Sequence, residues 1–255
     1  MNTDDIKLEK KDEIGIIILN KPPLNLLDTK MLHRLDGSLE EMENDGKIRA
    51  VIITGEKNFC AGADVKELKE MHPDEALIFS RLGHNVCNHI ENLEKPVIAA
   101  IKGYTFGGGW ELALACDLRI AAEGTKLGLP ETNLGIIPGF GGTQRLTRLA
   151  GIGRAKEMIL TGRSMDAKEA FYIGLVNAVV KDEELMGKAE EVADALSKKS
   201  PITLKIAKAL INRNLEMKKG LEMEMVSFSE CFASEDHMEG INAFLEKRKP
   251  RFKGV

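Results

Sequence analysis

Short β-branched runs alternate with longer stretches of helical periodicity, and that alternation restricts the fold more than any other feature of the chain. Ile14 to Leu19 (IGIIIL) runs into Asn20-Lys21-Pro22-Pro23, so it reads as a strand stopped by a turn. Asp28 then opens an amphipathic stretch with Met31, Leu32, Leu35, Leu39 and Met42 at helical spacing. Ala50 to Thr54 (AVIIT) is a second strand closed by Gly55, residues 75–93 read as another helix, and Pro96 to Ile101 (PVIAAI) is a third strand. A glycine cluster follows, then a helix from about Trp110 to Cys116 and a short strand from Leu118 to Ala121. Strands joined through helices imply crossover connections, and so an α/β class. After Gly142 the pattern is mostly helical; beyond Ser200-Pro201 it is only helical, and rich in Lys, Glu and Met. The expected organisation is an α/β core over residues 1–199 and a helical region over 200–255, packed on its own core or on a neighbouring subunit.

Composition excludes several classes. With 255 residues, 43% of them hydrophobic and 30% charged, the chain can bury a sizeable core and is not disordered. One Trp, two Tyr and a net charge of -4 argue against general nucleic-acid binding, which needs basic surface and stacking aromatics. No apolar run is long enough to span a bilayer. The N-terminus reads as neither a signal nor a transit peptide, and Cys60, Cys87, Cys116 and Cys231 lack any C-x-x-C pairing. A cytoplasmic location with free thiols is the expectation.

Three segments carry possible chemistry. Phe59-Cys60-Ala61-Gly62-Ala63-Asp64 is built of small residues that let a ligand approach backbone N–H groups; it is equally a tight turn in which Asp64 caps a helix. Gly103-Tyr104-Thr105-Phe106-Gly107-Gly108-Gly109-Trp110-Glu111 places three glycines between a buried strand and a helix start, where exposed N–H groups and the helix dipole favour a developing negative charge. Close packing of helix on sheet is the alternative for those glycines. Leu129-Pro130-Glu131, followed by Gly135-Ile136-Ile137-Pro138-Gly139-Phe140-Gly141-Gly142-Thr143, sets an acid in an apolar loop. That setting raises a carboxyl pKa and suits a proton donor, although a lone loop acid is also a common helix cap. His84, Cys87 and His89 share one predicted helix, on which the two histidines diverge, so no metal site is expected there. The P-loop, the G-x-S-x-G elbow and the dinucleotide fingerprint are all missing.

Taken together, these segments resemble the crotonase (enoyl-CoA hydratase/isomerase) family. The stretch from Ile98-Ala99-Ala100-Ile101-Lys102-Gly103 through Gly107-Gly108-Gly109 to Leu114-Ala115-Cys116-Asp117-Leu118 is similar to the family signature almost position for position. The likeness runs from Ile14 to Phe244-Leu245-Glu246-Lys247-Arg248. It implies a spiral of repeated ββα units with a C-terminal helical region used in trimer assembly, often as a dimer of trimers, a hexamer. It also implies an acyl-CoA substrate, with no metal or redox cofactor, since CoA belongs to the substrate. By position, the N–H groups of Ala63 and Gly108 would form an oxyanion hole. Glu111 would activate water and Glu131 would deliver the α-proton in adding water to a 2-enoyl-CoA. Isomerases of the family commonly keep only the later acid.

For CoA, the resemblance points to backbone groups around Ala61 and Ala63 for the adenine, and to Lys66 and Lys247 for the phosphates. Each lysine is as readily a solvated charge. Three positions depart from the family pattern: Trp110 is larger than usual and either shapes the acyl pocket or packs in the core, Phe140 is bulkier than usual and could narrow the same region, and Pro22-Pro23-Leu24-Asn25 replaces a commoner turn. A double-bond isomerase or a cyclic dienoyl-CoA hydratase remains an alternative within the family, and an RNA-binding member a remote one.

Overall fold

The β-branched runs become the inner strands of a six-stranded sheet. A computed structural model of the chain describes residues 5–213 and 217–255. In chain order its elements are β1 (Ile6–Lys11), β2 (Ile14–Leu19), α1 (Thr29–Asn44), β3 (Ala50–Gly55), α2 (Val65–Glu70), α3 (Pro73–Asn92), β4 (Val97–Ile101), β5 (Tyr104–Phe106), α4 (Gly108–Ala115), β6 (Leu118–Ala122) and β7 (Lys126–Gly128). Then come α5 (Gly142–Ala150), α6 (Ile152–Thr161), β8 (Ser164–Asp166), α7 (Ala167–Tyr172), β9 (Ala178–Val180), α8 (Leu185–Ser197), α9 (Pro201–Arg213), α10 (Met217–Cys231) and α11 (Glu235–Leu245).

The large sheet runs β1-β2-β3-β4-β6-β9 and is parallel except for β1 against β2. Its strands are apolar on both faces because both are covered. Ile17, Leu19, Val51, Ile53, Val97, Ala99 and Ile101 face the core that takes Met31, Leu32, Leu35 and Leu39 from α1. The alternate residues Ile14, Ile16, Ala50, Ile52, Ile98 and Ala100 face Leu185, Ala189 and Ala193 of α8. Asp28 caps α1 as expected, its carboxylate accepting from Met31 N–H at 2.7 Å.

The spiral comes from a second layer of short pairings. β5 lies parallel to β7, which pairs with β8, and isolated parallel bridges join Leu27 to Ala63 and Cys60 to Thr105. Each turn thus supplies a long strand, a short one, and then a helix: β4-β5-α4 is one complete ββα unit. Helix α4 starts at Gly108 rather than near Trp110, so two of the three glycines are helical. Several strands, the three-residue β5 and β7 among them, carry no readable signal in the sequence. β1 (IKLEKK) is an edge strand with only Ile6 buried, its lysines and glutamate facing water. β8 and β9 span three residues each, too short for a period to show within a stretch that otherwise reads as helical.

The C-terminal helices sit at the edge where the parallel strands begin. Lys208 of α9 donates to Ile90 O at 3.2 Å and Lys95 O at 3.1 Å, and pairs with Asp117 at 2.8 Å. The tail is held by Arg49 Nη2 donating to Phe252 O at 3.1 Å, just ahead of β3. Helices α10 and α11 leave Met225, Phe228, Ile241 and Phe244 largely exposed. No helix among the described residues is long and apolar enough to cross a membrane.

Candidate active site

At the opposite edge, where the strands end, three glycine-rich turns meet. Residues 58–60 are stitched to the turn after β4: Phe59 N–H donates to Lys102 O at 2.9 Å, Cys60 N–H to Tyr104 O at 3.2 Å, and Phe106 N–H to Cys60 O at 3.0 Å. On the other side, Leu27 N–H donates to Gly62 O at 2.9 Å and Asp64 N–H to Leu27 O at 2.8 Å. In a parallel bridge of this kind the central residue's own N–H points the other way, so that of Ala63 is directed away from Leu27. The 106–108 turn lies against this same segment: a Cβ on Gly62 would stand 3.1 Å from Phe106 O and 3.7 Å from Gly107 Cα.

The three glycines answer separate needs. Gly107 has φ 51° and ψ -129°, a conformation that side chains rarely allow, and it caps α4. Gly108 follows in the first helical turn, where an N–H has no acceptor within the helix. A Cβ on Gly109 would lie 2.7 Å from Cys60 Cβ and 2.8 Å from Cys60 C, so here the glycine serves close packing. Close packing thus accounts for Gly109, and backbone conformation for Gly107.

Two carboxyls flank this turn. Glu111, one helical turn below Gly108, is 1% exposed; its Oε1 accepts from Phe140 N–H at 2.8 Å and Gly142 N–H at 2.6 Å. Burial raises its pKa, against the pull of those two donors and of the Arg145 guanidinium. Glu131 opens a 3-10 turn (Glu131–Leu134), and a Cβ on Gly107 would stand 3.2 Å from its Oε1. Its Oε2 is buried without a hydrogen-bond partner among the described residues. Burial first, and then the charge of Glu111, push its pKa up to about 7. Burial therefore raises both carboxyls, with backbone donors and a cation opposing the rise at Glu111 and the Glu111 charge adding to it at Glu131. A carboxyl raised to about 7, as Glu131 is, can exchange a proton near neutral pH.

This arrangement costs stability. A carboxyl with a folded-state pKa raised to about 7 holds its proton in the folded chain at pH values where the unfolded chain has released it, so stability falls as pH rises from about 4.5 to 7. Glu131→Gln is expected to stabilise the chain at pH 8 by on the order of 1–3 kcal/mol and to change little at pH 4. Thermal unfolding of both proteins at the two pH values measures this; equal effects at both would show that Glu131 is not strained by its charge.

The enoyl-CoA hydratase/isomerase family model matches residues 9–255. The chain belongs to that family. It is 45% identical to the short-chain-enoyl-CoA hydratase of Clostridium acetobutylicum over 98% of this chain and 97% of that one. It is 42% identical to the crotonyl-CoA hydratase of Syntrophomonas wolfei subsp. wolfei over 99% of each. The crystal structure of an enoyl-CoA hydratase from Bacillus anthracis superposes with a TM-score of 0.95 at 42% identity, covering 99% of this chain and 100% of that one. The crotonase-type spiral inferred from sequence is therefore the fold.

The positions that depart from the family pattern divide. Trp110 is fully buried with no acceptor for its Nε1, and it packs in the core. Phe140 borders the glycine turn: a Cβ on Gly108 would lie 2.9 Å from its Cε2, its ring sits over Gly83, and it meets Phe79 with centroids 5.3 Å apart. Asn25, in the unusual first turn, donates to Asn58 O at 2.7 Å and Phe59 O at 3.1 Å, holding the 58–63 segment in place.

The residues named for CoA are not all gathered at one place. Asp64 caps α2 by accepting from Lys66 N–H at 3.0 Å, which leaves the Lys66 side chain exposed beside the site. The N–H of Ala61 is committed to Leu24 O at 2.9 Å, so only its carbonyl is open to a ligand. Lys247 follows α11, its N–H donating to Phe244 O at 3.2 Å, in a tail that Arg49 holds at Phe252 O ahead of β3. His89 bonds Asp36 at 2.7 Å and Glu43 at 3.3 Å, and among the described residues no group of three metal-binding side chains assembles. Reading the sequence did not single out Arg145. An arginine at helical spacing beside Leu146 gives only a weak signal of burial.

Proposed function

We propose that the chain is an enoyl-CoA hydratase that adds water reversibly across the 2,3 double bond of a short 2-enoyl-CoA. The observation that carries this is the pair of buried carboxyls, Glu111 and Glu131, on the Gly107–Gly108 turn. The N–H groups of Ala63 and Gly108 hold the thioester oxygen as negative charge develops on it. Glu111 takes a proton from water as the water oxygen bonds to the β-carbon, Glu131 gives its proton to the α-carbon, and the proton on Glu111 then passes through solvent to Glu131, restoring the pair. Run backwards, the same groups dehydrate a 3-hydroxyacyl-CoA. The pair titrates as a unit, so its apparent pKa values belong to both. Neither step calls for a metal or a redox cofactor, and CoA arrives with the substrate.

Residues 1–199 carry this chemistry, and 200–255 serve assembly as a trimer or dimer of trimers. The exposed Met225, Phe228 and Phe244 of α10 and α11 support that role. Assembly would also let the tail of a second copy bring Lys247 to a site its own chain does not reach. Cys60, Cys87 and Cys116 are buried free thiols, which suits a reducing cytoplasm.

Crotonyl-CoA is the test. Absorbance of the conjugated thioester is expected to fall on addition of the protein, and kcat/KM for hydration to decline as pH rises through about 7, where Glu131 loses its proton. Migration of a 3-enoyl double bond without loss of crotonyl-CoA would replace hydration by isomerisation.

A further inference from the structure

We infer that Arg145 is a positioning residue for this reaction: its guanidinium holds the 139–142 turn in the shape that aims two N–H groups at Glu111. The inference rests on the two-glutamate reading above. One amino acid, Phe140, joins the parts. Its N–H donates to Glu111 Oε1 at 2.8 Å, while its carbonyl accepts from Arg145 Nη1 at 3.0 Å. The next residue, Gly141, has φ 107°, and a Cβ there would run into Nη1, so the turn is closed directly over the guanidinium.

Arg145 is itself fixed from α3. Its Nε and Nη2 donate to Glu91 Oε2 at 2.9 and 2.6 Å, and Nη2 donates to Asn88 Oδ1 at 2.7 Å. With 8% exposure and a rigid fork, it has little freedom to release the turn. Ser80 Oγ of α3 also holds the turn, donating to Gly139 O at 2.6 Å, but it is Arg145 that bonds the carbonyl of Phe140, whose N–H meets Glu111; the second donor to Glu111 Oε1 is Gly142 N–H at 2.6 Å. The charged and titratable groups around it are Glu111 on α4, Cys116 just after that helix, and His84, Cys87 and Glu91 on α3, while Glu131 acts on Glu111. A cation here favours the Glu111 carboxylate, the form that accepts the water's proton.

A purely structural arginine would also be buried and paired, so the test must separate the two roles. The full chain is assayed with crotonyl-CoA as wild type, Arg145→Met, Arg145→Lys and Glu111→Gln, with both arginine variants repeated in the Glu111→Gln background. Arg145→Met is expected to lower kcat about 10- to 100-fold with KM little changed, the size of loss that a misplaced catalytic group produces. It should also move the acid limb of the kcat profile to higher pH. Arg145→Lys keeps the charge but not the fork, so it should lose kcat while leaving that limb in place.

In the Glu111→Gln background neither change should lower the residual rate further, because Arg145 acts only through Glu111. An equal loss in both backgrounds, a loss carried by KM alone, or an undiminished kcat in Arg145→Met would each overturn the inference. If Arg145→Met does not fold, Asn88→Ala frees one guanidinium N–H and is expected to give a smaller kcat loss, again absent with Glu111→Gln. Should Glu111→Gln itself stay active, the two-glutamate reading fails and this inference falls with it, whereas an inactive Glu111→Gln beside a fully active Arg145→Met overturns this inference alone.

Discussion

Glu111→Gln and Glu131→Gln are each expected to lower kcat for crotonyl-CoA hydration by on the order of 10²–10⁴-fold, with KM little changed. Each substitution keeps the size of the side chain and removes its ability to exchange a proton. A glutamine at 111 retains an oxygen for the N–H groups of Phe140 and Gly142, so the turn they belong to stays in place. At 131, where Oε2 already lacks a partner, an amide disturbs little. Both acids lie against the glycine turn rather than along a CoA groove, which is why the loss belongs in kcat. The two losses should fall short of multiplying, because the acids act on one water and one double bond. Steady-state kinetics on the single and double variants measures this, and either single variant within tenfold of wild type would dismantle the mechanism.

Gly109→Ala is expected to reduce kcat about 10²–10³-fold, the loss seen when an oxyanion donor is removed. No reacting group is changed. The added methyl would stand 2.7 Å from Cys60 Cβ and 2.8 Å from Cys60 C, and it would also press on Cys60 O. Backbone cannot step aside as a flexible side chain can. The strain therefore passes along the segment to Ala63, whose N–H is one of the two proposed donors. Overpacking of this kind also destabilises by about 1–3 kcal/mol. Gly153→Ala is the control, since nothing lies within 4 Å of its Cβ position and its φ is not positive. Kinetics and thermal unfolding of both variants decide the matter; a fully active Gly109→Ala would show that the 60–63 segment does not shape the site.

The contrast between these two glycines explains what could be read in advance. The inner strands β2, β3 and β4 are buried on both faces, so their β-branched runs are unbroken and legible. The face of α1 is legible for the same reason: Met31, Leu32, Leu35 and Leu39 all point into one core. Edge strand β1 is hidden by its own lysines, and β8 by its brevity. In the site, Glu111 and Glu131 read by themselves as two acids near glycine-rich turns, and only the resemblance to the family pairs them. Arg145 does not stand out, because its importance lies in a carbonyl of Phe140 and a carboxylate of Glu91, neither of them near it in a one-dimensional pattern. Which of three consecutive glycines turns the chain, which offers an N–H and which merely makes room is likewise a property of their neighbours in space.

Trp110 gives the chain a built-in optical reporter. It is the only tryptophan in the sequence, and it is fully buried, with no acceptor for its indole N–H. An indole in such surroundings emits at shorter wavelength than one in water. Because this one sits between the glycine turn and Glu111 in the chain, its emission monitors the very helix that carries Glu111. Unfolding of the site can thus be followed in the native sequence, with no dye and no label, and separately from the helices of residues 200–255, which contain no tryptophan.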